Sequence, residues 1–410
     1  MGRGSNLPRV SGFNRAVVLE AIRHSSDGLT RAQLGRMTRL APQTVSNVTR
    51  DLLEESLIRE AGVSAPEGRG RPGRFLQLNP ASRYAIGVHL DPATLGLVVL
   101  DLSGAIVAET YGPLPAPDRP TEVVAALHER IHALREDAGI LRERVLGIGI
   151  AAPGPLDEAA GVVSPPLLPG WDRVPLRAAL RERTGTTVIL DKDVTAAAKA
   201  HLWLRDTSTS QDFLFFYVGA GVAIATAIDG EVVRGRSGNA GEAGHLTGDP
   251  EGPRCRCGKR GCLGVLMGEA EMVQRARAAG LKVPEVPVGR DPVAIDAAFT
   301  TLVDLAHDGD PRATTLFSDA GRALALAVAS VSELLDISTA IVGGPRWEAV
   351  RALMEPAALP LLQEHRVHGQ VRPVQLLTSR LGWRAGAVGA ACLVLDEVFT
   401  PRSSTLLIGS

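Results

Sequence analysis

The sequence predicts an α/β protein in two unequal parts: a small helical head with a two-stranded wing over residues 1–80, and a two-lobed body over residues 81–410. Three observations carry this. Charge changes sign near residue 80. A run of helical patterns followed by two short strands ends at the same place. The remainder holds two copies of a strand–turn–strand–turn–strand pattern, beginning near residues 85 and 213.

The chain has 410 residues, 45% apolar and 22% charged, an ordinary globular composition with room for two or three domains. No run approaches the ~18 consecutive apolar residues of a membrane span. The opening MGRGSNLPRV lacks the apolar stretch of a secretory signal. A cytoplasmic location is therefore expected, with no membrane partner. The four cysteines are expected to be thiols or metal ligands rather than disulfides.

Residues 1–80 carry twelve arginines against seven acids, so the head is at +5 and the body at −6 within a net charge of −1. A basic head on an acidic body directs the head alone toward a polyanion. Residues 13–24 have helical spacing. Thr30 and Gln33 form a capping box that opens a short helix ending near Met37. Pro42 suits the first turn of a third helix over 42–55. Val45, Val48 and Leu52 make its buried stripe. Gln43, Ser46, Asn47 and Arg50, with Thr44 beside them, fall on a different face. Amides and a guanidinium in that arrangement can read base edges in a major groove. Two short strands follow, over 57–61 and 74–78. The loop between them carries Arg69 and Arg71 among glycine and proline, with Arg74 at its end. Such a slim cationic loop suits a minor groove. Together these elements describe a winged helix–turn–helix for double-stranded DNA. A small helical interaction domain with a flexible hairpin is the plainer alternative.

In the body, strands are expected at 85–90, 94–102 and 105–110, then a helix over 121–138 and a strand from Val145. The second copy of the meander runs through 213–221, 222–228 and 231–235. Two related lobes with a cleft between them are the expected result.

The stretch GNAGEAGHLTGDPEGPRCRCGKRGCLG supplies one imidazole, His245, and three thiols, Cys255, Cys257 and Cys262. Four such ligands in a short glycine-rich loop (residues 245–262) suit tetrahedral Zn2+. Four protein ligands leave no open position, so the expected zinc is structural. Cys392 lies in an apolar helical stretch and reads as core.

The GExGH…CxCGxxGC pattern resembles that of the ROK family (repressors, open reading frames, kinases). With the winged head in front, the whole chain is similar to the family's xylose and N-acetylglucosamine repressor type. The resemblance implies a two-lobed actin-like (ribonuclease H-like ATPase/sugar kinase) domain, with the zinc loop bracing a sugar site in the cleft. Family features stand at Ala151 to Gly154, at Asp191 to Asp193 and at Gly343 and Gly344.

Kinases of the family carry DxGGT at the first strand turn, where an acid helps hold magnesium and glycine amides cradle phosphate. Here that turn is His89-Leu-Asp-Pro-Ala93. Asp91 sets a charge against phosphate, and Pro92 removes an amide donor. The second phosphate turn, 219–223, has Ala220 in place of a hydroxyl residue. Asp193 matches the catalytic base but is vestigial without a phosphate cradle, so kinase activity is expected to be lost and the protein not to be an enzyme.

By resemblance the effector site comprises Pro153, Gly154, Lys192, Asp193, Glu242 and His245. Two positions depart from the pattern. The usual Asn before the base is Lys192, and the usual Glu two residues after the last zinc cysteine is Gly264, which is expected to open space. A sugar, an aminosugar, a sugar phosphate or a bulkier ligand would suit such a site. Trp171 reads as packing, with sugar stacking as the alternative.

The expected function is a homodimeric or homotetrameric, DNA-binding transcriptional regulator. It is expected to repress carbohydrate uptake or catabolism genes from an operator and to respond to a sugar-like effector. The alternatives are an active sugar kinase with a regulatory head, and an effector-free regulator governed by protein partners.

Overall fold

A computed structural model describes residues 7–63, 73–204, 210–286, 291–364 and 373–400. The head contains α1 (Leu7–Arg23), α2 (Arg31–Thr38) and α3 (Pro42–Glu54), then an antiparallel pair, β1 (Ile58–Val63) and β2 (Arg74–Leu78). The capping box forms as expected: the Gln33 N–H donates to Thr30 Oγ1 at 3.3 Å, and the Thr30 N–H donates to Gln33 Oε1 at 2.8 Å. Pro42 begins α3, whose Val45, Val48 and Leu52 are buried. Leu29 joins β2 through reciprocal backbone bonds with Leu76. Helix α1 starts earlier than residue 13, and β1 runs two residues past the expected end at 61.

The first lobe is a five-stranded sheet of β3 (Tyr84–Leu90), β4 (Thr94–Asp101), β5 (Ile106–Pro113), β6 (Val145–Ala152) and β9 (Val188–Lys192), in the order β5-β4-β3-β6-β9. Helix α4 (Pro120–Asp137) and helix α5 (Leu176–Thr184) close its outer face. A small hairpin, β7 (Leu156–Asp157) and β8 (Val162–Val163), leaves its cleft end.

The second sheet repeats the plan. Strands β10 (Phe213–Val218), β11 (Val222–Ile228), β12 (Glu231–Val232), β13 (Thr339–Gly343) and β14 (Gln375–Thr378) are ordered β12-β11-β10-β13-β14. In each sheet three antiparallel strands are extended by two parallel ones. The repeated meander of the sequence is thus a duplicated topology. Helices α7 (Leu263–Met267), α8 (Glu269–Ala278), α9 (Pro292–His307), α10 (Pro311–Leu335) and α11 (Trp347–Glu364) pack on the outer side of the second sheet.

Between the sheets lie α6 (Asp193–Leu204) and α12 (Ala385–Phe399), packed on one another. Glycine makes this possible. A Cβ on Gly87 or Gly149 would lie 1.9 or 1.8 Å from the carbonyl oxygens of Ala387 and Ala390 in α12. Gly389 stands equally close to Ala196 of α6. Cys392 is fully buried in α12, as expected.

The head is continuous with the first lobe. Leu19, Ile22, Leu52 and Leu76 share one apolar core with Leu100, Leu102, Trp203, Leu395 and Phe399. Arg23 of α1 lies 4.2 Å over the Trp203 ring and donates to the Trp203 carbonyl at 3.0 Å. Among the described residues, no helix is long and apolar enough to cross a membrane.

Candidate functional sites

Four ligand atoms, one each from His245, Cys255, Cys257 and Cys262, lie within 4.8 Å of one another. Cys255 Sγ is 3.6 Å from His245 Nδ1, and Cys257 Sγ is 3.6 Å from Cys262 Sγ. A disulfide needs about 2.05 Å. Tetrahedral zinc, with bonds of ~2.3 Å to sulfur and ~2.0 Å to nitrogen, sets its ligands roughly 3.5–3.8 Å apart. The residues therefore fit a divalent metal of this type. Burial and the neighbouring thiols push the Cys262 thiol up to about 12, whereas a hydrogen bond from the Lys259 backbone and the neighbouring thiols pull Cys257 below its ordinary value. Tight turns shape the loop: the Cys255 N–H donates to the Lys259 carbonyl at 2.8 Å, and a Cβ at Gly261 would lie 1.6 Å from the Asp249 carbonyl oxygen.

The same loop begins at the cleft. Gly241 receives the Ile224 N–H on the edge of β11, which places Glu242 opposite the end of β9. There Lys192 Nζ meets Glu242 Oε1 at 2.5 Å and donates to the Ala240 carbonyl at 3.3 Å. A Cβ on Gly154 would lie 3.1 Å from Lys192 Cε and 3.4 Å from Glu242 Oε1. Gly154, Lys192 and Glu242 are thus brought together, with Asp193 next along the chain and Pro153 buried beside Gly154. His245 lies one short turn beyond Glu242, with Nδ1 turned to the thiols.

At Gly264 an added Cβ would lie 3.0 Å from the Gly244 carbonyl oxygen, so the two backbones approach closely there. Trp171 is packing. It is buried, and its indole N–H donates to the Pro117 carbonyl at 2.7 Å. Arg234, which sequence reasoning missed, reaches from the second lobe to Asp191 Oδ2 at 2.6 Å and Glu158 Oε2 at 3.5 Å. Asn239 was also missed. Its side chain accepts from Leu156 N–H and donates to the Leu156 carbonyl, both at 2.8 Å. No local motif marks either residue, because their partners lie 43 and 83 residues away in sequence.

Burial pushes the Asp193 carboxyl up to about 7, against opposing pulls from the Val194 N–H and Lys192. The native state then holds a proton that the unfolded chain releases near 3.8. Stability from this group is present at low pH and lost as pH rises through about 4 to 7. Thermal melts from about pH 5.5 to about pH 8 should therefore fall more steeply for the wild type than for Asp193→Asn. Equal slopes would show that the carboxyl is ionised and solvated.

At the first strand turn, His89 and Asp91 are both buried. Burial lowers His89 to about 4, and its neutral ring shares a 2.8 Å hydrogen bond with the Tyr217 hydroxyl of the other lobe. Asp91 Oδ1 accepts the Ala93 N–H at 3.3 Å. By the second turn, the Glu269 N–H donates to the Ala220 carbonyl, and Arg346 Nε donates to Glu269 Oε1 at 2.5 Å.

The ROK family model matches residues 85–397. The chain belongs to the ROK family. A ROK family transcriptional regulator, a homolog of the E. coli MLC protein, has the same fold with a TM-score of 0.75. It is 24% identical, with 96% of this chain and 98% of that one covered. The xylose repressor of Bacillus subtilis (strain 168) is 25% identical over 95% of this chain and 96% of its own. The DNA-binding transcriptional dual regulator NagC of Escherichia coli (strain K12) is 28% identical over 95% and 94%. These alignments extend well beyond the ROK-matched residues, so the head is part of the likeness.

On the head, Gln43, Ser46, Asn47 and Arg50 are exposed along one face of α3, and Thr44 is half-buried. The Gln43 side-chain amide donates to Asn47 Oδ1 at 3.1 Å. Arg74 is engaged by Glu60 at 2.6 Å across the hairpin. Arg69 and Arg71 lie outside the described residues.

Proposed function

We propose that this ROK protein is a sugar-responsive, DNA-binding transcriptional repressor. One observation carries the reading: α3 presents an exposed amide, hydroxyl and guanidinium face on a head whose core is continuous with the first lobe. The names borne by the two full-length relatives, a xylose repressor and a DNA-binding regulator, point the same way. Residues 1–80 act as a winged helix–turn–helix, with Gln43, Thr44, Ser46, Asn47 and Arg50 against base edges and Arg69, Arg71 and Arg74 near the backbone or minor groove. Residues 81–410 act as the sensor. Pro153, Gly154, Lys192, Asp193, Glu242 and His245 line the effector site, which takes a sugar, aminosugar or sugar phosphate.

His245, Cys255, Cys257 and Cys262 hold a structural zinc, which supplies no chemistry beyond fixing the loop that carries Glu242. The protein transfers no phosphoryl group: Pro92 and the side chains of Asp91 and His89 replace a phosphate cradle, so Asp193 has nothing to activate a hydroxyl toward. The protein works in the cytoplasm as a dimer or tetramer. Lobe movement changes the spacing of paired α3 helices, which must match half-sites about 34–36 Å apart.

The experiment is fluorescence anisotropy at fixed salt on DNA from upstream of the protein's own and neighbouring genes. Free sugars, aminosugars and sugar phosphates are titrated into the complex. Specific binding that one of these compounds weakens or strengthens is the expected result. Absence of sequence-specific binding would overturn the reading of the head. Tight binding indifferent to every sugar would overturn the reading of the cleft.

A further inference from the structure

The two lobes are tied to each other on the effector side of the cleft by their own side chains. Lys192, at the end of β9, pairs with Glu242 of the second lobe. Arg234 of the second lobe pairs with buried Asp191, the neighbour of Lys192. Asn239 closes a reciprocal pair of hydrogen bonds with Leu156 in the hairpin of the first lobe. The first of these bonds has a distinctive asymmetry. The Lys192 side chain is 3% exposed, whereas that of Glu242 is 60% exposed. A molecule entering the cleft reaches the carboxylate but not the ammonium.

Resting on the reading of this cleft as the effector site, we infer that Lys192 is a specificity-determining residue: its ammonium takes the place on Glu242 that a sugar hydroxyl would take, and so latches the lobes and competes with neutral sugars. An ammonium this deeply buried keeps a counter-charge, because its desolvation is otherwise uncompensated. Ala240 supplies only a carbonyl dipole. Asp193 carries only part of a charge near neutral pH. A neutral sugar that draws Glu242 away from Lys192 therefore gives up a charge-assisted bond, a loss that sets a high threshold for binding. Without the ammonium, the same carboxylate is free to accept a hydroxyl pair.

The test uses the full-length protein and two readouts. Hydrogen exchange is measured on ligand-free wild type, Lys192→Gln and Glu242→Gln, with Lys282→Gln as a control at an exposed lysine of the second lobe. Faster exchange in residues 156–163 and 234–245 is expected in both latch variants and not in the control. Glu242→Gln breaks the pair from its exposed end, so the result stands even if Lys192→Gln folds poorly. Calorimetry then compares glucose, xylose and N-acetylglucosamine on wild type and Lys192→Gln, with tighter binding of at least one by about tenfold or more expected in the variant. Unchanged exchange in both latch variants overturns the latch. Sugar binding that is unchanged or weaker in Lys192→Gln overturns the competition. If exchange rises while no sugar binds either protein, the latch stands and the competition falls with the effector reading itself.

Discussion

Cys255→Ser, or removal of metal by a chelator, is expected to abolish one bound zinc per chain and to lower the melting temperature by about 3–6 °C. The magnitude follows from the coupling of metal binding to folding. Structural zinc contributes ~10–16 kcal/mol in isolated zinc-finger peptides. Here the loop is braced by the body, through the Leu263 N–H to the Leu246 carbonyl and through buried Leu263 and Cys262. Only part of that free energy is then at stake, and a few kcal/mol in a protein of this size corresponds to roughly 3–6 °C. Elemental analysis and calorimetry on the same sample check it. The loss should reach the cleft as well, because Glu242 stands three residues before the ligand His245 and shares its loop. A purified protein that holds no metal and melts like the Cys255→Ser variant would show that the four ligands pack without an ion.

The second large effect is expected on the head. Asn47→Ala and Arg50→Ala should each weaken binding to the cognate operator by about 10- to 100-fold, consistent with the ~1–3 kcal/mol of a good base-edge contact. Binding to unrelated DNA should fall much less, since phosphate contacts supply most of it. The 3.1 Å bond from Gln43 to Asn47 orients both amides, so Gln43→Ala should impair the same positions less severely. Arg50 is also drawn toward Asp51 and Glu54, at 3.4 and 3.9 Å. These are exposed pairs of small value, and a base edge can replace them. Arg74 is a contrast: exposed and paired with Glu60, it is placed near the DNA backbone, so Arg74→Ala should weaken binding to both duplexes alike. Competition anisotropy with matched specific and non-specific duplexes measures all of these. Equal losses on both duplexes for Asn47→Ala and Arg50→Ala would move the base-reading face elsewhere.

Much of this protein is legible because its determinants are local. The Thr30 capping box, Pro42 at the start of α3 and the Val45–Val48–Leu52 stripe depend on residues within two turns of one another. The cysteine–histidine loop is local too: four potential ligands within eighteen residues need only the turns their own glycines permit. The repeated meander declared two like lobes because alternating apolar runs and Gly turns specify strand pairs next to each other in sequence. Gly264 shows where local reading stops: the close approach of the Gly244 carbonyl to it depends on how the loop folds back on α7.

The sequence by itself determined the head elements, the two repeated meanders and the cysteine–histidine loop, because periodicity, capping and short-range spacing act within a few turns of chain. The tertiary structure alone decided how the parts meet. Helix α12, from the far end of the chain, fills the floor between the lobes because Gly87, Gly149 and Gly389 let backbones come into contact. It also joins the head to the first lobe through Leu395 and Phe399. The same long-range folding sets Lys192 on Glu242, Arg234 on Asp191 and His89 on Tyr217. Those pairs are separated by 43 to 128 residues, and only the registers of two sheets and the packing of the helices between them bring their charges and hydroxyls within reach.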